Sequence, residues 1–488
     1  MFMRIFRRIM LGGGIDIDTL PDTQKLHYKA TSKVTPKNGS LGSSVIANKW
    51  DAATNEGVIV CTSDIIKIGD SAFENYSSLT SITIPDGVTS IGYSAFCNCS
   101  SLTSITIPDS VTTISNYAFQ YCKNLTSFTI PNSVTTIGKG AFSGCTGELI
   151  VNCNIPSASS YDYGVFYGSQ FTQVTIGDSV TSIGKYAFYD CNSLTSVTIG
   201  DSVTTIGNSA FSGCQNIINV VIPDSVIEIG DNAFAACNSL NNVTIGKGVT
   251  SIGDWAFLSC KGRLTINSKI VETNYPSSKW IKNSKFTELI LGNNIEKIGE
   301  SAFSGCNSLT SVTIPESVTT IGGAFTGCTS LTSITIPDSV TSIGGYIFMN
   351  CTSLTNVTIG NGVTRINIHS FQDCSSLESI TIGNGVTEIR YYAFTRCTSL
   401  ESITIPESVT MIGERAFDGC TSMQYYDFSI HELVPTLSNT SAFNDIHSTC
   451  KIIVPDALYD EWIAATNWST YADYIINKSD WDASQTTE

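Results

Sequence analysis

Phenylalanine recurs with a period of 23 residues through most of this 488-residue chain. It stands at Phe73, Phe96, Phe119 and Phe142, then at Phe188, Phe211, Phe234 and Phe257. It returns at Phe303, Phe325, Phe348, Phe371, Phe394 and Phe417, with one residue missing between Phe303 and Phe325. One full copy reads Leu102-x-x-Ile105-x-Ile107-Pro108-x-x-Val111-x-x-Ile114-x-x-x-Ala118-Phe119-x-x-Cys122. A fixed period of this length marks a solenoid, because each unit buries its apolar side only against the units before and after it. Leu102, Ile105 and Ile107 alternate with polar residues as the inward face of a strand does, so stacked units predict a parallel sheet. Pro108, or glycine in other copies, ends that strand. Val111 and Ile114 read as a second short strand, and Ala118-Phe119 as the start of a single helical or 3₁₀ turn whose ring fills the core.

The array is expected to run from near Glu56 to Cys420. Ile59, Cys61, Ile65 and Ile68 stand one period ahead of Ile82, Ile84, Val88 and Ile91 and read as the first unit. Residues 1–55 lie outside the repeat as an N-terminal cap or attachment segment. Residues 56–420 form the solenoid, and residues 421–488 an irregular last unit with a C-terminal cap. In that cap residues 451–455 read as a last strand and Asp456 as the cap of a short helix. Trp462, Trp468 and Tyr471 would cover the final apolar layer, which otherwise faces water. Two units deviate alike. Cys145 and Cys260, five periods apart, are followed by residues 147–152 and 262–267, and Phe171 and Phe286 take the next leucine position. This reads as a five-unit block duplicated once.

Charge excludes several partners. Lys plus Arg number 26 against 42 Asp plus Glu, a net charge of -16, so the basic footprint that nucleic acid or an anionic membrane requires is missing. No apolar run approaches the length of a membrane-spanning helix. Residues 1–14 carry Arg4, Arg7 and Arg8, with only Ile9-Met10-Leu11 before three glycines, too short for the apolar region of a secretory signal.

Thirteen of the 17 cysteines stand three residues after a repeat phenylalanine. One thiol per unit fits neither a four-ligand zinc site nor a disulfide framework, and free cysteine behaves as a small buried hydrophobe. These thiols are expected to be reduced and buried. Replacement of one by serine is expected to cost roughly 1–3 kcal/mol through an unsatisfied hydroxyl. His27, His369, His431 and His447 are scattered, and the chain has no HExxH, phosphate loop or nucleophile elbow. No catalytic, cofactor or metal site is expected, and the chain does not read as an enzyme.

Three columns remain as candidate surfaces. Asp86, Asp109, Asp178, Asp201, Asp224, Glu316, Asp338 and Glu407 follow the strand. They read as turn residues bonding backbone N–H groups, or as carboxylates stacked to hold a divalent cation. Asn132, Lys247, Asn361 and Asn384 interrupt them. Thr106, Thr198, Thr335 and Thr358 belong to a mid-strand column pointing outward; their hydroxyls either bond along the sheet or offer a hydroxyl-rich face to an extended partner. Tyr117, Tyr186, Trp255, Tyr346 and Tyr392 stand two residues before the phenylalanine and either cover the turn beneath them or contact a partner.

The repeat resembles the BspA-like class of leucine-rich repeats, on the residues from Leu102 to Cys122 and their copies. It departs from the commoner form in placing Ser110 or Gly87, where that form has an asparagine ladder, before the valine. The resemblance implies a leucine-rich-repeat solenoid with the parallel β-sheet on its concave face and short strands with 3₁₀ or helical turns on the other side. It implies a non-enzymatic protein-binding or adhesion scaffold without cofactors, contacting a host protein or cell surface. A virion-associated structural or host-recognition protein of a phage is the alternative, and a cytoplasmic interaction scaffold the second alternative. Cell surface, extracellular space or virion are the places the resemblance implies. Specificity is expected where units deviate, at residues 147–171 and 262–286.

Overall fold

The computed structural model describes residues 19–272, 280–281 and 284–486. The reading of residues 1–14 lies outside them, as does the centre of the second variant stretch. The fold is a parallel β-solenoid of about 17 turns with little helix. It divides into two compact units, Met1–Leu240 with Ser251–Cys260, and Asn241–Thr250 with Lys261–Glu488.

In the first unit every turn of the solenoid has three sides. The main strands run in parallel register one period apart, Ser81 opposite Ser104 and Ile82 opposite Ile105, and again Gln173 opposite Ser196. Two-residue strands such as Ser90–Ile91, Thr113–Ile114 and Thr136–Ile137 make the second side. On the third side the helical or 3₁₀ turn read from the sequence takes the form of alternating bonds, half of them of the 3₁₀ type. Tyr117 and Phe119 donate their backbone N–H groups to Lys139 and Ala141 of the next turn, at 3.0 and 2.8 Å. Ala118 and Gln120 between them bond back three residues, to Ser115 and Tyr117. Left-handed backbone at Tyr117 (φ 57°) and Tyr121 (φ 60°) interrupts any helical run. The stack supplies a carbonyl to each N–H that a helix would have paired internally.

The phenylalanine rings form a column inside. Phe73, Phe96, Phe119 and Phe142 stack with centroids 5.2–5.3 Å apart and planes within 11°. Phe166, inside the variant stretch and invisible to the period, bridges Phe142 and Phe188 at 5.5 and 4.6 Å. The column therefore passes through the irregular turn unbroken. The serine before the valine supplies a ladder of its own. Ser110 donates to the Val88 carbonyl at 2.7 Å, and in the second unit Ser317 donates to Ile295 at 2.7 Å.

The column cysteines are buried, and every thiol but that of Cys306 points at a main-chain carbonyl. Cys122 donates to Phe96 at 3.3 Å, Cys214 to Phe188 at 3.1 Å and Cys260 to Phe234 at 3.2 Å. This corrects the expected cost of serine there, because a hydroxyl inherits the same acceptor. The variant turn already carries a serine at the equivalent position, Ser169, only 1% exposed and 3.2 Å from the Cys191 sulfur. Cys214→Ser is therefore expected to destabilise by less than about 1 kcal/mol in a denaturant titration, and by no more than Cys214→Ala. A serine variant clearly weaker than the alanine one would mean that the hydroxyl finds no acceptor.

The start of the solenoid departs from its sequence alignment. Strand β1 (Lys25–Ala30) lies antiparallel between β3 (Glu56–Cys61) and β5 (Leu79–Thr83), and β2 (Val45–Asp51) pairs antiparallel with β3. Ile59 and Cys61 thus belong to an antiparallel sheet and not to a parallel first turn. On the second side the alignment does match, since β4 (Lys67–Ile68) pairs in parallel with Ser90–Ile91. The reason is edge protection: the first main strand of a parallel stack exposes its backbone, and β1 pairs it. Tyr28 of β1 is buried against Gly57, where an added Cβ would stand 2.1 Å from the ring.

The second unit repeats the three-sided turn. Phe303, Phe325, Phe348, Phe371, Phe394 and Phe417 stack at 5.2–5.7 Å, and Phe443 joins them at 5.4 Å. Residues 421–450, irregular in sequence, thus carry a further turn, with Tyr425–Asp427 pairing in parallel between Ser402–Thr404 and Lys451–Val454. Trp462, Trp468 and Tyr471 are buried over its end; Trp468 and Tyr471 lie 5.6 and 5.3 Å from Phe443. Asp456 does not cap the short helix Tyr459–Ala464. Its carboxylate accepts from Ser479, N–H at 3.0 Å and hydroxyl at 2.7 Å, and so ties down the last helix, Lys478–Gln485.

Candidate binding surface

Threonines on the outside of each turn fall into two kinds. Those flanking the strands bond to the turn before. Thr103 and Thr112 donate to the carbonyls of Thr80 and Thr89 at 3.0 and 3.2 Å, and Thr310 and Thr355 repeat this at 2.9 and 3.0 Å on Thr287 and Thr332. The mid-strand column behaves differently. Among the described residues the hydroxyls of Thr106, Thr198, Thr335 and Thr358 have no intramolecular hydrogen bond, and all four are exposed. Their side chains stand perpendicular to the sheet, while the carbonyls beside them lie in its plane, already paired along the stack. The ladder of hydroxyl bonds expected at these positions is therefore made at the flanking positions instead.

These free hydroxyls line shallow troughs on the main sheet. In the first unit a trough of about 520 Å³ is bordered by Ser104, Thr106, Ser127, Thr129, Asp109 and Asn132. Another, of about 370 Å³, has Thr198, Asp201, Asn219, Val221 and Pro223. In the second unit Thr313, Thr335, Glu316 and Pro337 border one of about 320 Å³. Thr358 continues the column beside Thr335. Val221 occupies the threonine position of its turn and is 64% exposed, and Ile150, opposite Thr129 and Thr175, holds the same position and is 42% exposed, so the hydroxylic floor carries apolar steps.

The acidic column makes local bonds. Asp178 accepts the N–H of Asp201 at 3.2 Å and Asp338 that of Asn361 at 2.7 Å, and Asn361 accepts from Asn384 at 3.0 Å. Asparagine can continue such a ladder because only a side-chain oxygen is needed. Among the described residues no group of three or more His, Cys, Asp or Glu side chains is placed to hold a metal ion. A second ladder of this kind escaped the sequence reading. Asp70, Asn116 and Asp231, each directly after an Ile-Gly or Ile-Ser pair, accept from Tyr93, Lys139 and Asp254 at 2.8–2.9 Å.

The five aromatics lie on the third side and border none of the troughs. All have left-handed backbone, φ 54–60°. Tyr117 spreads over Gly140, where a Cβ would come within 3.0 Å of the ring, and Lys139 stands 5.7 Å above its centroid. Tyr186 carries Lys185 at 4.9 Å. Tyr346, His369 and Tyr392 form one stack at 4.8 and 4.9 Å, with Arg415 6.0 Å from Tyr392. Trp255 is 41% exposed. Four of the five thus have a local packing role, and a neighbouring group that begins in the first variant stretch has no period to mark it. There Tyr161, Tyr167 and Tyr189 lie 5.4–6.3 Å apart, with Tyr186 5.8 Å from Tyr189. Burial raises the phenols of Tyr167 and Tyr189, and the neighbouring Asp190 adds to it.

Burial pushes the thiols of Cys237, Cys328 and Cys420 up to about 12, so these three are protonated at neutral pH. Among the described residues no helix is long and apolar enough to cross a membrane.

The family described as BspA type leucine rich repeat region, in its six-copy form, matches residues 52–163, 159–275, 275–398 and 322–449. Among solved structures, a leucine-rich repeat protein from Bacteroides ovatus is 28% identical, with 85% of this chain and 88% of that one covered and a TM-score of 0.35. A leucine rich cell surface protein from Faecalibacterium prausnitzii is 28% identical over 82% and 89%, with a TM-score of 0.26. A leucine-rich repeat protein from Eubacterium ventriosum is 24% identical over 60% and 88%, with a TM-score of 0.34. No curated protein matches the chain. With the family pattern running from residue 52 to residue 449, the chain belongs to the BspA-type leucine-rich-repeat family, protein-interaction and adhesion scaffolds that are typically non-enzymatic.

Proposed function

We propose that this chain is an adhesion scaffold that binds a host protein or cell surface through the outward face of its main sheets. The observation that carries the reading is the mid-strand threonine column, whose hydroxyls have no intramolecular partner while the flanking columns are bonded turn to turn. Each such hydroxyl can donate and accept, so a repeated row of them suits an extended chain whose polar groups recur along its length. Val221, like Ile150, interrupts the row with an apolar step where a partner's aliphatic group would sit. In this reading residues 1–55 cap or attach the array, residues 56–420 present the binding face and residues 421–488 close it.

The test is a variant carrying Thr106→Lys, Thr198→Lys and Thr335→Lys. Exposed mid-strand sites tolerate such changes, so each is expected to alter stability by less than about 0.5 kcal/mol. Binding of the labelled chain to cultured epithelial cells, measured by flow cytometry with unlabelled competitor, is expected to fall roughly tenfold. Unchanged binding by the variant would remove the threonine face from the interface. The absence of any saturable binding by the intact chain would overturn the adhesion reading.

A further inference from the structure

The third side of the first unit holds a cluster of tyrosines that the threonine face does not use. Tyr161 belongs to the turn Tyr161–Tyr163 and is 53% exposed. Tyr167 and Tyr189 each follow a core phenylalanine. The three rings form one patch: Tyr161 lies 5.4 Å from Tyr189 and 6.3 Å from Tyr167, and Tyr167 lies 6.3 Å from Tyr189 with planes 23° apart. Asp162 and Asp190 flank it and act electrostatically on Tyr167.

Elsewhere on this side four tyrosines stand beside the solenoid's own cations. Lys123 lies 5.6 Å from the Tyr121 centroid, Lys139 5.7 Å from Tyr117, Lys185 4.9 Å from Tyr186 and Arg415 6.0 Å from Tyr392. These distances are those at which a cation is held by the negative face of a ring. Over Tyr161, Tyr167 and Tyr189 no lysine or arginine stands among the described residues, while the carboxylates of Asp162 and Asp190 lie close enough to act on Tyr167. The Asp190 carboxylate has no ion pair among the described residues, and partial burial raises it above its ordinary range. The chain's charge of -16 adds a field that draws cations toward the whole surface.

We infer that the Tyr161–Tyr167–Tyr189 patch, with Asp162 and Asp190, is a docking site for an arginine-bearing segment of a partner protein. The inference rests on the chain being a protein-binding scaffold and names the chemistry of one of its contacts. A guanidinium lies flat on one ring while its N–H fork reaches a carboxylate, a pairing that the planar group makes better than an ammonium does. Tyr161, Asp162 and Tyr167 belong to the first variant stretch and Tyr189 and Asp190 to the regular turn after it, a combination that occurs once in this unit.

The test uses the full chain labelled with 3-fluorotyrosine, its ¹⁹F resonances assigned through Tyr161→Phe, Tyr167→Phe and Tyr189→Phe. The probe is the peptide acetyl-GRGRG-amide, and its control replaces both arginines by citrulline, which keeps the shape and removes the charge. The arginine peptide is expected to shift these three resonances saturably, and the paired substitutions Asp162→Asn and Asp190→Asn to weaken it roughly fivefold. Equal shifts with the citrulline peptide would overturn the inference, as would equal shifts with a neutral oligosaccharide or the lack of a saturable shift. The native-chain comparison of the two peptides needs no variant to fold. If the peptide fails while the intact chain still binds cells, this patch is wrong and the scaffold reading stands. If the intact chain binds no cell or protein, the scaffold reading falls whatever the peptide does.

Discussion

Raising the pH from about 8 to about 11 is expected to unfold the chain cooperatively, with the column thiols as the cause. Burial holds Cys237, Cys328 and Cys420 at about 12 in the folded protein against an ordinary value of 9.0. Below pH 9 both states keep the proton, and the stability due to burying a neutral thiol is fully present. Between 9 and 12 the unfolded chain releases protons that the folded chain retains, so stability falls as pH rises. Each such thiol contributes a slope of about 1.4 kcal/mol per pH unit. These three alone give about 4 kcal/mol per unit, and Cys260, Cys306, Cys351 and Cys397 are also pushed up by burial. Total stabilities of folded chains are of order 5–15 kcal/mol, so the transition is expected within about two pH units above 9.

The measurement is far-UV circular dichroism run beside reaction with a chromogenic thiol reagent. Both are expected to change at one midpoint, with slow labelling of the native chain at neutral pH. Replacing Cys237, Cys328 and Cys420 by alanine is expected to move the midpoint upward, since those protons no longer couple to folding. A chain that keeps its secondary structure at pH 12 would contradict this account. So would thiols that react fully near pH 9 in a folded chain.

The parts of this structure legible in the sequence are those that every turn repeats. Leu102, Ile105, Ile107, Val111, Ile114, Phe119 and Cys122 are all buried, because a residue type held at one position in successive turns must meet the same neighbours. What happens once has no period to reveal it. Strand β1 enters antiparallel beside Leu79–Thr83 to protect an edge, a need that exists only at the end of the stack. Phe166 keeps the ring column whole from a stretch whose spacing is irregular. The candidate surface divides in the same way. The threonine column was visible, but Thr103 and Thr106 are the same residue with opposite roles. Only the direction of the side chain relative to the backbone carbonyls separates a bonded hydroxyl from a free one. The left-handed backbone at Tyr117, Tyr186 and Trp255 was not legible either, since tyrosine and tryptophan are poor markers of that conformation. The tyrosine patch at Tyr161 draws on a turn without a counterpart elsewhere in the first unit.

Phe211→Ala is expected to destabilise the first unit by about 3–5 kcal/mol and to split its unfolding into two steps. The ring is fully buried and stacks on Phe188 at 5.1 Å and Phe234 at 5.2 Å, with planes 3° and 6° from parallel. Truncation removes its transfer energy, leaves a cavity between two rigid turns, and deletes two ring contacts of about 0.5–1.5 kcal/mol each. The turns on either side are pinned by their own hydrogen-bond ladders, such as Phe188 N–H to the Ala210 carbonyl and Phe211 N–H to that of Ala233, and cannot close over the gap. In a stack whose stability is a sum of nearest-neighbour terms, weakening one interface uncouples the turns before it from those after it. Hydrogen exchange is therefore expected to lose protection first at Ser196–Ile199 and Asn219–Ile222, the strands flanking the site, before the rest of the unit opens. Thr198→Ala, a change on the outer face of one of those strands, serves as the control and is expected to stay within about 0.5 kcal/mol. A Phe211→Ala chain that melts in one transition, displaced by less than about 1 kcal/mol, would show that the ring column fills space without coupling the turns.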